Sequence, residues 1–188
     1  MHVLQQNLAD LGYFDHEVTG LYGEVTAQSV AAFNTDMGLS DEPSDSVSQK
    51  TGAYLQAALA LKNAPSPVVF VGKESAPSDV KSAQRTLRFL GYYRGRTDGS
   101  YSSILFNAIL SYQRDQQLVG SATAPGAGRI GAVTKSKLDK EILRRRVARD
   151  ATQILEMEDI ADKLEKNNAL LTATMDTGSN GKSVRMLQ

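Results

Sequence analysis

Only two histidines, His2 and His16, occur among the 188 residues, and cysteine is absent. Covalent catalysis needs a nucleophile beside a base, and metal sites need clustered His, Cys, Asp or Glu. Without Cys there is no thiolate ligand, no thiol nucleophile and no disulfide framework. His16 stands alone, with no second ligand at metal spacing, and no Ser or Thr has a His placed to activate it. Asp41 and Glu42 are paired acids of the kind that hydrolyse glycosides, but the run SDEPSDS around them offers nothing to raise a carboxyl pKa. Gly126-Ala-Gly128-Arg-Ile-Gly131 has the spacing of a dinucleotide-binding turn. That turn requires an apolar strand directly before it, and SATAP precedes it instead. Lys135, Lys137, Lys140, Arg144, Arg145, Arg146 and Arg149 form a basic stretch against Asp139 and Glu141. No aromatic is interleaved as nucleic-acid binding would want, and residues 150–165 then carry six acids and one Lys. The residues point to a chain that is not an enzyme, uses no cofactor or metal, and does not bind nucleic acid.

The hydrophobic fraction of 41% is enough for real cores. No apolar run approaches the ~20 residues of a membrane span. The opening MHVLQQNLADLG reads as amphipathic helix, without the basic and apolar regions of a signal peptide. Either the protein is not exported or its original start lies elsewhere. The net charge of zero conceals an asymmetry: residues 1–61 hold eight acids and one base, and residues 79–138 hold nine bases and three acids. An acidic first part therefore stands beside a basic second part, which matters for assembly.

Those side chains sit on a repeat. A shift of 79 pairs Gln5 with Gln84, Leu8 with Leu87, Leu11-Gly12-Tyr13-Phe14 with Leu90-Gly91-Tyr92-Tyr93, and Gly20 with Gly99. It also pairs Tyr22 with Tyr101, Val30 with Ile109, Phe33 with Tyr112, Asp36 with Asp115 and Leu39 with Leu118. A shift of 83 then pairs Val47 with Ile130, Thr51 with Thr134 and Leu55 with Leu138, so the second copy has four extra loop residues.

Each copy reads as three short helices. Val3, Leu4, Leu8 and Leu11 follow helical spacing, and Gly12 stands where a left-handed residue ends a helix. A second helix spans roughly 24–37, with Gly38-Leu39 as its glycine stop and hydrophobic follower. A third carries Thr51, Leu55 and Leu59. Copy two repeats the pattern near 79–90, 103–117 and 131–143. Gln117 replaces Gly38 there, so that helix end is expected to be built differently.

The pattern Val-x-x-Leu-Gln-x-x-Leu-x-x-Leu-Gly-Tyr, Gly-x-Tyr-Gly-x-x-Thr, Val-x-x-Phe, Gly-Leu and Thr-x-x-x-Leu resembles the peptidoglycan-binding domain 1 family. Copy two keeps most of it, from Val80 through Leu90-Gly91-Tyr92 and Gly99-x-Tyr101 to Thr134 and Leu138. Gly178-Ser-x-Gly181-x-x-Val184-x-x-Leu187 resembles the opening of a third copy, cut short. The resemblance implies an all-α fold and a non-catalytic anchor that brings an attached activity to peptidoglycan. It implies an extracytoplasmic setting, in periplasm or cell wall, as part of a longer precursor. Sugar and peptide recognition needs aromatic faces with carboxylate, amide or guanidinium groups. Tyr13, Phe14, Asp15 and Tyr22 supply them in copy one, and Tyr92, Tyr93, Arg94, Asp98 and Tyr101 in copy two. The first Tyr of each pair and Tyr22/Tyr101 are expected to close the cores. Phe14/Tyr93, Asp15/Arg94 and Asp98 are then left as the exposed candidates.

The expected organisation is a module over 1–61, an extended linker over 62–78 with Pro65, Pro67 and Pro77, whose PVVFV run forms a short strand or packs as a strap, and a module over 79–143. A helical spacer over 144–177 and the start of a third module over 178–188 complete it. Leu143, Val147, Ala151, Ile154, Met157, Ala161 and Leu164 form one apolar seam along the long helix. Its bases come first and its acids last, against the helix-dipole preference. A second copy in antiparallel pairing would relieve both; the alternative is that the helix folds back on copy two and its charges are solvated. A protein–protein scaffold without a glycan ligand is therefore the alternative to wall binding.

Overall fold

The computed structural model describes residues 1–179, with side chains through residue 170. All but the first two residues of the expected third-module opening at 178–188 lie outside the described residues. Six helices run in order: α1 His2–Asp10, α2 Glu24–Met37, α3 Gln49–Leu61, α4 Pro77–Phe89, α5 Ser103–Asp115 and α6 Ala132–Ser179. The architecture is all-α, with one extended bridge between Val71 and Ile130 among the described residues.

The apolar spacing of each copy closes its own core. Leu8, Val30, Phe33 and Leu55 meet in the first cluster, and Val80, Leu87, Ile109, Tyr112 and Leu138 in the second. The helix stops follow the repeat. Gly12 and Gly91 take φ +82° and +90°, and the amides of Tyr13 and Tyr92 reach back to the carbonyls of Leu8 and Leu87, each at 2.8 Å. Gly38 ends α2 at φ +76°, with the Leu39 amide 2.7 Å from the Asn34 carbonyl. The end of α5 is built the same way, contrary to expectation. Gln117 itself takes φ +56°, and the Leu118 amide donates to the Gln113 carbonyl at 2.8 Å. The closing bonds and Leu118 hold a non-glycine residue where a left-handed backbone costs about 1–2 kcal/mol.

Two expected connectors belong to cores. Val68 and Val71, from the expected linker, are buried in the second cluster, with Val69 packed beside them, where the strap 66–75 bridges through Val71 to Ile130. Pro77 opens α4 as its first residue, where a missing amide donor costs nothing.

The expected spacer is likewise not separate from the modules. Leu138 and Ile142 on the first turns of α6 complete the second core. One further stretch along the same helix, Val147 and Ala151 are fully buried in the first core, with Ile154 and Leu155 packed beside them. Small residues on α3, Ala53, Ala57 and Ala58, let the two helices approach closely. The predicted seam is thus covered by module one from Val147 to Leu155, while Met157 at 71% and Leu164 at 57% remain exposed. An antiparallel pairing over the whole Leu143–Leu164 seam is not open to this chain, since part of that seam is occupied.

The reversed charge order of α6 finds complements inside the chain. A Cβ added at Gly38, the C-terminal cap of α2, would meet the Arg144 guanidinium at 3.3 Å. Arg145 points Nη1 at the carbonyl of Phe89, the last residue of α4, at 3.5 Å. The cations of α6 thus stand at the negative ends of α2 and α4. Glu158, in its acidic half, accepts from Gln49 at the positive end of α3.

Candidate functional site

Each repeated turn is pinned by a glutamine buried on the first helix of its module. Gln5 Oε1 accepts from the Gly20 amide at 2.8 Å, and its Nε2 donates to the Leu21 carbonyl and Thr26 Oγ1 at 2.9 and 3.0 Å. Gln84 does the same work one module on. It accepts from the Gly99 amide at 2.9 Å and donates to Asp98 Oδ1 and the Ser100 carbonyl, each at 3.1 Å. Gly20 and Gly99 take φ +76° and +85° there, which lets the backbone turn onto the amide.

A second clamp holds the loop before the third helix. Gln113 accepts from the Gly128 amide at 2.9 Å and donates to the Gly126 and Arg129 carbonyls and to Thr134 Oγ1 at 3.0, 2.9 and 3.1 Å. The G-x-G-x-x-G segment is therefore a loop wrapped on its own glutamine. In module one Asn34 takes this position and accepts from Thr51 Oγ1 at 3.1 Å. These clamps were not among the expected site residues. Their signal in the sequence was a polar residue repeated on an otherwise apolar helix face.

The aromatic pairs are oriented opposite to expectation. Phe14 and Tyr93 are the buried members, 6% and 3% exposed, while Tyr13 and Tyr92 are half-buried. Tyr13 and Tyr92 follow the left-handed glycines and turn back over the second helix. Each meets the ring of Phe33 or Tyr112 edge-on at 5.3 Å. Their hydroxyls donate to Asp36 at 3.0 Å and Asp115 at 2.8 Å. Burial, then the Asp36 carboxylate, pushes the Tyr13 hydroxyl pKa up. Tyr93 donates to the Arg96 carbonyl at 2.6 Å and lies under the Arg88 guanidinium, 6.0 Å from its ring centre.

Asp15 is exposed and pairs with His16 at 2.7 Å, and Arg94 is exposed. Asp98 is exposed but engaged: the Ser100 amide, then Gln84, hold its carboxyl below the usual range. Tyr22 and Tyr101 are half-buried and reach across their modules to the carbonyls of Ser44 and Gly128. The turns thus gather Asp15, Arg94 and Asp98 at the surface but withdraw the aromatic faces from it.

Exposed aromatic surface collects elsewhere. The strap around Phe70–Ser75, the loop 118–131 and the start of α5 enclose an open groove of about 950 Å³. Phe70, Tyr101, Phe106, Lys73 and Arg129 line it, and of the nine expected site residues Tyr101 alone borders it. Phe70 is 61% exposed. Phe106 packs so closely on Gly128 that a Cβ there would stand 2.1 Å from its ring edge.

The family model described as "Putative peptidoglycan binding domain" matches residues 1–42 and 76–138, more than half of the chain and both copies of the repeat. The chain belongs to this peptidoglycan-binding family. No curated protein and no solved structure matches it. All nine expected site residues lie inside the two matched segments of this peptidoglycan-binding protein. The strap carrying Phe70 and Lys73, helix α3 and most of α6 lie outside them. A peptidoglycan-binding module is a binding domain and not a catalytic one. Among the described residues no helix is long and apolar enough to cross a membrane.

Proposed function

We propose that this chain is a tandem, non-catalytic anchor that holds an attached activity of a larger exported protein at the peptidoglycan of periplasm or cell wall. The observation that carries the reading is the family match on both copies, each closed by the same glutamine clamp. An anchor works best when its modules hold a fixed relation to one another, and α6 enters the cores of both. Pelleting of the purified chain with isolated sacculi tests this: it should sediment with them, and heat-unfolded chain should not. Failure to sediment in low and moderate salt would overturn it.

A second reading has its own support. The apolar face of α6 at Met157, Ile160 and Leu164 is exposed, and the modules carry opposite charge. A scaffold for another protein, with no glycan ligand, would use both features. Under that reading the chain stays in solution beside sacculi and instead associates through α6, less so as salt shortens the Debye length.

A further inference from the structure

We propose that the groove between the strap 70–75 and the loop 118–131 of module two seats one sugar–peptide repeat of the wall, sugar against the aromatics and a stem-peptide carboxylate against Lys73 and Arg129. This rests on the peptidoglycan-binding reading and adds the place and the chemistry.

Sugar rings bind by laying their C–H faces on aromatic rings, so a seat needs aromatic surface that the fold does not use for itself. The turns fail that requirement: Phe14 and Tyr93 are buried, and Tyr13 and Tyr92 are committed edge-on to Phe33 and Tyr112. The groove meets it. Phe70 stands outward from a strap whose neighbours Val68 and Val71 point inward. Phe106 and Tyr101 also border the groove, but both are half-buried and held against Gly128, so Phe70 is its free aromatic face. A volume of about 950 Å³ is at the large end of ligand clefts, the size class of a disaccharide bearing a short peptide.

The polar complement fits the same ligand. Peptide stems end and branch in carboxylates, and a planar guanidinium pairs them in bidentate fashion. Arg129 lies against Gly72, its Nε 3.3 Å from where a Cβ would stand, with Lys73 next along the strap. Glu74 reduces the local charge by one, and the groove remains net positive. Both walls are specific to copy two: the loop is four residues longer than in copy one, and the strap precedes α4.

The test uses the whole chain and two soluble probes, a disaccharide-tetrapeptide and the same disaccharide without peptide. Phe70→Ala should weaken both probes about tenfold, and Arg129→Gln should weaken the peptide-bearing probe about tenfold while sparing the other. Both side chains are exposed, so circular dichroism should be unchanged; Arg94→Gln, on the turn, is the control and should bind as the parent does. If the parent sediments with sacculi but Phe70→Ala and Arg129→Gln bind as it does, the groove is not the seat while the wall reading stands. Loss of binding in Arg94→Gln alone would return the site to the turn. A parent that never sediments would remove both the reading and the groove.

Discussion

Gln49 Nε2 donates to the Glu158 carboxylate at 2.9 Å, tying the first residue of α3 to α6 across 109 positions of chain. The bond marks one end of the packing that buries Val147 and Ala151 in module one. The core of module one is accordingly completed by residues well beyond 61. Val147→Asp should destabilise it by about 3–5 kcal/mol, since a charge is left without a partner in a closed core. Chemical denaturation followed in module one should show the loss. A change within error would mean that α6 only rests on the surface.

The buried amides give the next expectation. Gln113→Leu keeps the volume but leaves the Gly128 amide and three acceptors without their partner. An unsatisfied buried group costs about 1–3 kcal/mol. We expect a loss in that range or somewhat above, with faster amide exchange at Gly128. Gln84→Leu should behave alike at Gly99.

Burial separates the two members of each aromatic pair. Tyr93→Ala should cost about 3–5 kcal/mol of stability. Any loss of wall binding in that variant would then report unfolding. Tyr93→Phe, which loses only the bond to the Arg96 carbonyl, should cost about 1 kcal/mol. Thermal melts of the two variants distinguish these outcomes.

Gln117 holds φ +56° where module one has Gly38. Gln117→Gly should raise stability by about 1 kcal/mol, because relief of the left-handed backbone exceeds the entropy that glycine gains on unfolding. A destabilised variant would mean that the glutamine side chain contributes more than its backbone costs.

Tyr112 is buried, and among the described residues its hydroxyl has no hydrogen-bond partner. Burial, then the charge of Glu141, pushes its pKa up, and Tyr13 is raised as well. Folded values above the unfolded value of about 10 mean that the unfolded chain ionises first. The stability these tyrosines confer is fully present below about pH 10 and is lost as pH rises beyond it. Tyr112→Phe should be neutral or slightly stabilising at pH 7, as Phe33 already fills this place in module one, and it should flatten the alkaline decline. Urea midpoints at pH 7 and near pH 11 check both.

What the sequence made legible follows a division in the physics. Gly12, Gly38 and Gly91 announce helix ends because the left-handed backbone is a local property, and Leu8 or Ile109 announce cores because helical period fixes their face. Which of Tyr13 and Phe14 turns inward depends on the path of the loop after Gly12, where no period operates. The partner of Val147 and Ala151 was equally hidden. A 3/4 spacing says that a seam will be covered, while α3 becomes the cover only once both modules are folded. The groove was legible least: Tyr101 borders it, but Phe70 and Arg129 come to line it together because an isolated bridge joins Val71 to Ile130.

Because one unbroken helix supplies both the last wall of module two and part of the core of module one, the orientation between the modules is set by helical arithmetic. Each residue advances the axis by about 1.5 Å and turns it by about 100°. A single residue gained between Ile142 and Val147 would swing one module a quarter-turn or more around the other, whereas four would nearly restore the bearing about 6 Å further along. The segment is thus a phase-keeping shaft: its length in residues acts as a gear setting, and evolution can alter the reach of the pair in whole turns far more readily than in fractions of one.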